Sequence, residues 1–186
     1  MIFVSIDVES SGINDSQILE FGAIIEDTKL KLPYEDIPKF RAKFWRNGFI
    51  SGQIQGVLMN AGLLKEILEN PKDCWLPGDK ELGKTFRQWL INNGIKPDET
   101  NDVIFNVAGK NFFGFDYPMI NEQTKLFEYA QPSRRVLDPS ILYANWTSER
   151  LPGLQDCLNK AGIEKNVSHT SLEDAFDVIQ LLRKFY

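Results

Sequence analysis

Four carboxylates and one imidazole stand out by type and position: Asp7, Glu9, Asp116, Asp174 and His169. Asp7 and Glu9 close an apolar run in which Ile2, Val4, Ile6 and Val8 alternate with Phe3, Ser5 and Asp7. That period of two predicts a strand, and residues two apart on a strand share a face, about 6.5–7 Å from one another. Like charges on one face of an interior strand repel and lose hydration, and a divalent cation relieves both. The same pair also fits a strand end entering a polar turn, here Ser10-Ser11-Gly12. Taken alone, Asp-x-Glu leaves both readings open.

Asp116 follows a short apolar strand predicted over 103–108 and opens a helix predicted over 117–127. Asp there is equally a favoured N-cap, and Pro118 suits a first helical turn. The last predicted helix, 171–185, sorts its carboxylates by face. At about 100° per residue, Glu173, Asp177, Gln180 and Lys184 share a polar face, and Leu172, Ala175, Phe176, Ile179 and Leu182 an apolar one. Asp174 falls instead with Val178, Leu181 and Phe185 on a second apolar face. A carboxylate there needs a reason; Asp177, expected in solvent, does not, and Asp177→Ala is expected to cost little. Thr170 with Glu173 reads as a capping box. His169, the sole histidine, lies just before this helix, within reach of whatever Asp174 binds. An ordinary loop or core histidine is the competing reading.

The elements that must position these residues are readable in outline. Strands are predicted over 19–26 and 37–45, joined by a link punctuated by Pro33 and Pro38. Helices are predicted over 53–69 and over 80–93, the latter stopped by Gly94, with a loop over 71–78 between them. A short strand over 135–137 ends at Asp138-Pro139, and a helix over 154–161 is closed by Gly162. Strands first, then helices alternating with short strands, predict an α/β protein with a mixed central sheet flanked by helices, its sequential strands antiparallel.

The 186 residues contain no repeat or linker, which predicts one domain over 1–186. Lys plus Arg is 21 against 26 Asp plus Glu, a net charge of −5, which excludes coating duplex DNA by charge alone. It leaves room for an enzyme that meets a nucleic-acid end through bound cations. Cys74 and Cys157 cannot form a disulfide framework, so a reducing, cytoplasmic setting is expected. No apolar run approaches a membrane span, and the N-terminus lacks the basic flank of a signal peptide.

Taken together, Asp7-Val8-Glu9-Ser10-Ser11-Gly12, then Phe115-Asp116, then His169 with four residues before Asp174, resemble the three exonuclease motifs of the DEDDh family. Its members include the bacterial polymerase III proofreading subunit, oligoribonuclease and RNase T. The resemblance spans residues 1 to about 182: 18–23 resemble the family's second strand, and 136–138 and 154–163 the segments leading to its third motif. It implies an RNase H-like fold and 3′→5′ release of nucleoside 5′-monophosphates from single-stranded DNA or RNA ends. It further implies two divalent ions, Mg²⁺ or Mn²⁺, of the kind that clamp an in-line displacement at phosphorus. By resemblance Asp7, Glu9 and Asp174 hold the first ion, Asp7 helps to hold the second, and Asp116 acts largely through water. His169 takes a proton from the attacking water, a task suited to the one side-chain type that ordinarily titrates near neutral pH.

Substrate contacts are implied for the Ser10 N–H, which would meet the terminal 3′-OH, and for Asn111 and Phe115. Phe112, Phe113 and Phe115 are candidates for stacking on bases or for core packing. The chain departs from the family in two places. Asn111 stands one residue farther from Phe115-Asp116 than is usual, and 37–98 match the commonest members poorly. Gly109-Lys110-Asn111-Phe112 and 50–60 look more like phage-encoded exonucleases. The alternatives are a non-catalytic RNase H-like nucleic-acid-binding module, which usually lacks one of the five residues, and a structural domain of a larger machine.

Overall fold

The computed structural model describes residues 1–12, 17–45, 62–148 and 150–186. Strand β1 (Ile2–Ser10) is flanked on one side by β2 (Ile18–Asp27), antiparallel, and on the other by β4 (Ile104–Ala108), parallel. The edges are β3 (Lys39–Lys43), antiparallel to β2, and β5 (Gln131–Leu137), parallel to β4. The order β3-β2-β1-β4-β5 makes a mixed five-stranded sheet with β1 at its centre. β5 is longer than predicted, because an edge strand accommodates Pro132, whose missing N–H need not enter a ladder.

The alternation in β1 separates two layers. Val4, Ile6 and Val8 face Phe21, Phe86, Leu90, Phe112 and Ile120. Those residues link the sheet to α2 (Lys80–Asn92), α3 (Asp116–Gln123) and α4 (Leu126–Tyr129). Phe3, on the opposite face, packs with Ala175, Val178, Ile179 and Leu182 of α6 (Ser171–Arg183). The last helix therefore lies against the face of β1 that carries Asp7 and Glu9. Gly22, the β2 partner of Asp7, makes this close approach possible: a Cβ there would stand 2.5 Å from Ser171 Oγ and 2.7 Å from the Ser171 carbonyl carbon.

Two helical predictions change. The helix expected over 117–127 is broken into α3 and α4 at Thr124, whose backbone is extended. Its hydroxyl donates to Ile120 O at 2.7 Å and accepts from Leu126 N–H at 3.2 Å, ending one helix and starting the next. The helix expected over 53–69 appears as α1 (Leu63–Glu69); its earlier part, and all of 50–60, lie outside the described residues. α5 (Leu154–Lys160) packs on the far side of α6 through Cys157, Leu158 and Leu181. Among the described residues no helix is long and apolar enough to cross a membrane.

Candidate active site

At the C-terminal end of β1 the sheet opens. The β1–β4 pairing ends at Ser5 and Ala108, and farther along the Val8 N–H donates to Asp116 Oδ1 at 3.1 Å. Asp116 is not the N-cap that its position offered: Phe115 stands there without a side-chain cap, and Asp116 is buried in the first turn of α3. From the other face α6 brings Asp174, also buried, which accepts from Ser168 N–H at 3.2 Å and Ser168 Oγ at 3.1 Å. Glu9, His169 and Asp174 each place a ligand atom so that all three lie within 4.8 Å of one another. His169 is exposed and adopts a left-handed backbone, φ 57°.

The electrostatics describe one crowded acidic cluster. Burial holds the Asp7 carboxyl well above the usual carboxylate range, and Asp116, Asp174, Glu9 and Glu20 push it the same way. Glu9 is raised to about 8, by burial first and then by Asp174, Glu20 and Asp116. Burial raises Asp116 to about 7 against the opposing pull of its backbone hydrogen bonds and of Lys110. Asp174 rises to about 6, again mainly by burial, with the Ser168 hydroxyl opposing. A divalent cation replaces bound protons at such a cluster, and hard oxygen donors suit Mg²⁺ or Mn²⁺. The donor set therefore fits the ions that the motifs imply.

A pH dependence follows. In the folded, metal-free protein these carboxyls hold protons to higher pH than in the unfolded chain, so folding binds protons between about pH 4 and 8. Stability must then fall as pH rises through that window. The metal-free melting temperature is expected to drop from pH 5 to pH 8.5, and Mn²⁺ or Mg²⁺ to restore more of it at the upper end. Thermal unfolding across pH, with and without metal, checks this; a metal-free protein that gains stability up to pH 8.5 contradicts the raised carboxyls.

Glu20 is a functional neighbour that the motif reading passed over. It pairs with Glu9 across β1 and β2 and is fully buried. Its Oε2 accepts from Ser171 N–H at 2.9 Å and Ser171 Oγ at 2.8 Å, while Arg41 holds the other oxygen. Glu20 thus caps α6 from the sheet. The expected Thr170–Glu173 capping box is absent: Thr170 makes no side-chain cap, and Glu173 lies 3.9 Å from Lys165. The signal was available in part, since Glu20 is a carboxylate flanked by Leu19 and Phe21 in a mainly apolar strand, close to the criterion that singled out Asp174.

Asp177 is a plain correction. Expected in solvent, it is 0% exposed and 3.0 Å from Lys165 Nζ. The remaining candidates sit at the rim. The Ser10 hydroxyl donates to Gly12 O at 2.9 Å, just past a register shift between Glu9 and Ser10. Asn111 is exposed, with φ 56°, and donates its N–H to Asp138 Oδ2 at 2.9 Å; it shapes the turn before α3. Phe112 is core, Phe115 packs against the core, and Phe113 is 37% exposed, which leaves Phe113 the freest of the three to meet a base.

No protein-family model and no curated protein sequence matches the chain. Among solved structures, Pop2p of S. pombe in its Mg²⁺- and Mn²⁺-bound form aligns with a TM-score of 0.63. The alignment covers 97% of this chain and 81% of that one, at 16% identity. That likeness, with the sheet order, establishes an RNase H-like fold.

Proposed function

We propose that the chain is a single catalytic domain over 1–186, a metal-dependent 3′→5′ exonuclease that releases nucleoside 5′-monophosphates from single-stranded DNA or RNA ends. One observation carries the reading: three separate segments bring Asp7, Glu9, Asp116 and Asp174 together, with exposed His169 within 4.8 Å of Glu9 and Asp174. The motif resemblance and the fold support it. A module that only binds nucleic acid has no use for four clustered carboxylates, each held above its usual range mainly by burial and two of them, Asp7 and Glu9, raised further by the others.

Asp7, Glu9 and Asp174 would hold one ion, and Asp7 and Asp116 would serve the second. Such ions, Mg²⁺ or Mn²⁺ as in the Pop2p form, polarise the phosphate and acidify bound water. Ser168 keeps Asp174 oriented through two hydrogen bonds, and Glu20 keeps the α6 N-terminus seated on β2. His169, at the open side, accepts a proton from the attacking water. The new P–O bond forms as the bond to the 3′ oxygen of the penultimate nucleotide breaks. The phosphate leaves on the released nucleotide, and the 3′ oxygen stays on the shortened strand as a hydroxyl after taking a proton from solvent. The Ser10 N–H, Asn111 and Phe115 would then line the terminal nucleotide, with Phe113 at its edge. A reducing, cytoplasmic setting is part of the same proposal and rests on the low cysteine count of the sequence alone.

The test uses 5′-labelled single-stranded DNA and RNA with and without Mg²⁺. A ladder shortening one nucleotide at a time from the 3′ end is expected, slowed by a 3′-phosphate. Internal cuts, early release of the label as a mononucleotide, or undiminished turnover in excess EDTA each overturn the assignment.

A further inference from the structure

Residues 163–170 carry His169 without regular secondary structure, yet they are held at successive points. Gln155 on α5 spans the segment: its Nε2 donates to Lys165 O at 3.0 Å, and its Oε1 accepts from Val167 N–H at 3.0 Å. Lys165 reaches back to α6, where its Nζ lies 3.0 Å from Asp177 Oδ1 and 3.9 Å from Glu173 Oε2. Ser168 is tied to Asp174. The segment is thus pinned to α6 twice, one helical turn apart, on the approach to His169.

Asp177 is the unusual member. It is 0% exposed, and among the described residues neither of its oxygens has a well-aligned hydrogen bond. Only the Asp177 end of the pair is buried, the Lys165 side chain being 32% exposed. Ion pairs that bury a charge add little stability compared with apolar residues of the same size, and their best-attested use is to fix one arrangement among several. The arrangement available to fix here is that of the loop. With Ser168 as the only tie to α6, the segment and the Gln155 contacts that carry it could shift relative to that helix about Asp174, and a second tie at Asp177 removes that freedom.

We propose that the Lys165–Asp177 ion pair, with the Gln155 amide, is a latch that sets the position of His169 over Glu9 and Asp174, making Lys165 and Asp177 positioning residues of the reaction. The kinetic consequence rests on the exonuclease reading; the structural one does not.

The test therefore has two readouts. His169 is the only histidine, so its imidazole Cε1–H gives a single ¹H–¹³C signal that is observable without turnover. In Asp177→Asn and in Lys165→Met that signal is expected to move toward the position of a histidine in an unstructured peptide, with the remaining spectrum retained. In the same variants kcat should fall about 10–100-fold while KM changes little, as for other groups that orient a reacting side chain. Lys165→Arg should restore most of it. In a His169→Ala background, Asp177→Asn should add less than about 2-fold, because a residue acting through another couples fully to it. Should Asp177→Asn fail to fold, Gln155→Ala loosens the segment with both charges in place. A His169 signal unmoved in every variant, or an equal loss of kcat with and without His169, overturns the latch. A moved signal in a protein that never cleaves nucleic acid upholds the latch and refutes the exonuclease instead.

Discussion

Asp7→Asn is expected to abolish turnover while raising the melting temperature of the metal-free protein. Asp7 lies at the centre of the cluster: Asp116, Asp174, Glu9 and Glu20 all act on its carboxyl. Neutralising it removes the residue that serves both proposed metal positions. The loss in kcat should exceed the 10²–10³-fold typical of losing one transition-state-stabilising group. The same change removes a charge that the folded, metal-free protein tolerates poorly at alkaline pH. The raised Asp7 carboxyl makes folding take up a proton, a cost that grows as pH rises above the ordinary carboxylate range. The gain in melting temperature is therefore expected to be larger at pH 8 than at pH 5, with about 1 kcal/mol corresponding to about 2–4 °C for a chain of this size. Excess Mn²⁺ should reverse the order, stabilising the wild type more than the variant. Kinetics and thermal unfolding on the same samples decide the matter. A variant that turns over normally defeats the metal site, and one that melts lower at pH 8 defeats the account of charge crowding.

The second large effect is expected from His169→Ala. Loss of a general base lowers kcat by about 10²–10⁴-fold. KM should change little, because the lost interaction belongs to the transition state rather than to substrate binding. Residual activity above the uncatalysed rate should remain, since bound metal still acidifies water. Asp174→Ala should be at least as damaging, because it removes a proposed ligand and also the acceptor that fixes Ser168. Asp177→Ala, judged harmless from the helical wheel, is now expected to be costly as well, since it leaves Lys165 without its buried partner. A His169→Ala enzyme with near-wild-type kcat would leave the carboxylates in place but remove the base, and with it the DEDDh resemblance.

The contrast between Asp174 and Asp177 shows how far a pattern of residues reaches. The wheel correctly placed Asp174 on a buried face because its neighbours Val178 and Leu181 are apolar and pack inward. It misplaced Asp177 because a wheel records what flanks a residue on its own helix, not what folds over it. Here the cover is Lys165, on a loop whose path no periodicity describes. Glu20 and Thr170 repeat the lesson: a local capping box was legible, but Thr170 makes no side-chain cap, and the carboxylate that serves this helix start arrives from β2 and takes a different donor, the Ser171 N–H. Thr124 interrupts a helix for a reason equally invisible at the level of pattern, a hydroxyl that competes for backbone groups on both sides.

By itself the sequence determined the strand order along the chain, the two-layer alternation of β1, and the identity and order of the carboxylates and the histidine. These are properties of neighbours within a few residues, where side-chain period and turn chemistry act directly. Only the tertiary structure decided that Gly22 lets α6 close on β1, that Asp116 takes the Val8 N–H beyond the last β1–β4 pair, and that the His169 loop is pinned to α6 at two points. The first two join residues far apart in the chain, and the third joins near neighbours through a loop that has no period to read. Their energies come from burial and from shared charge, which exist only once the layers have packed.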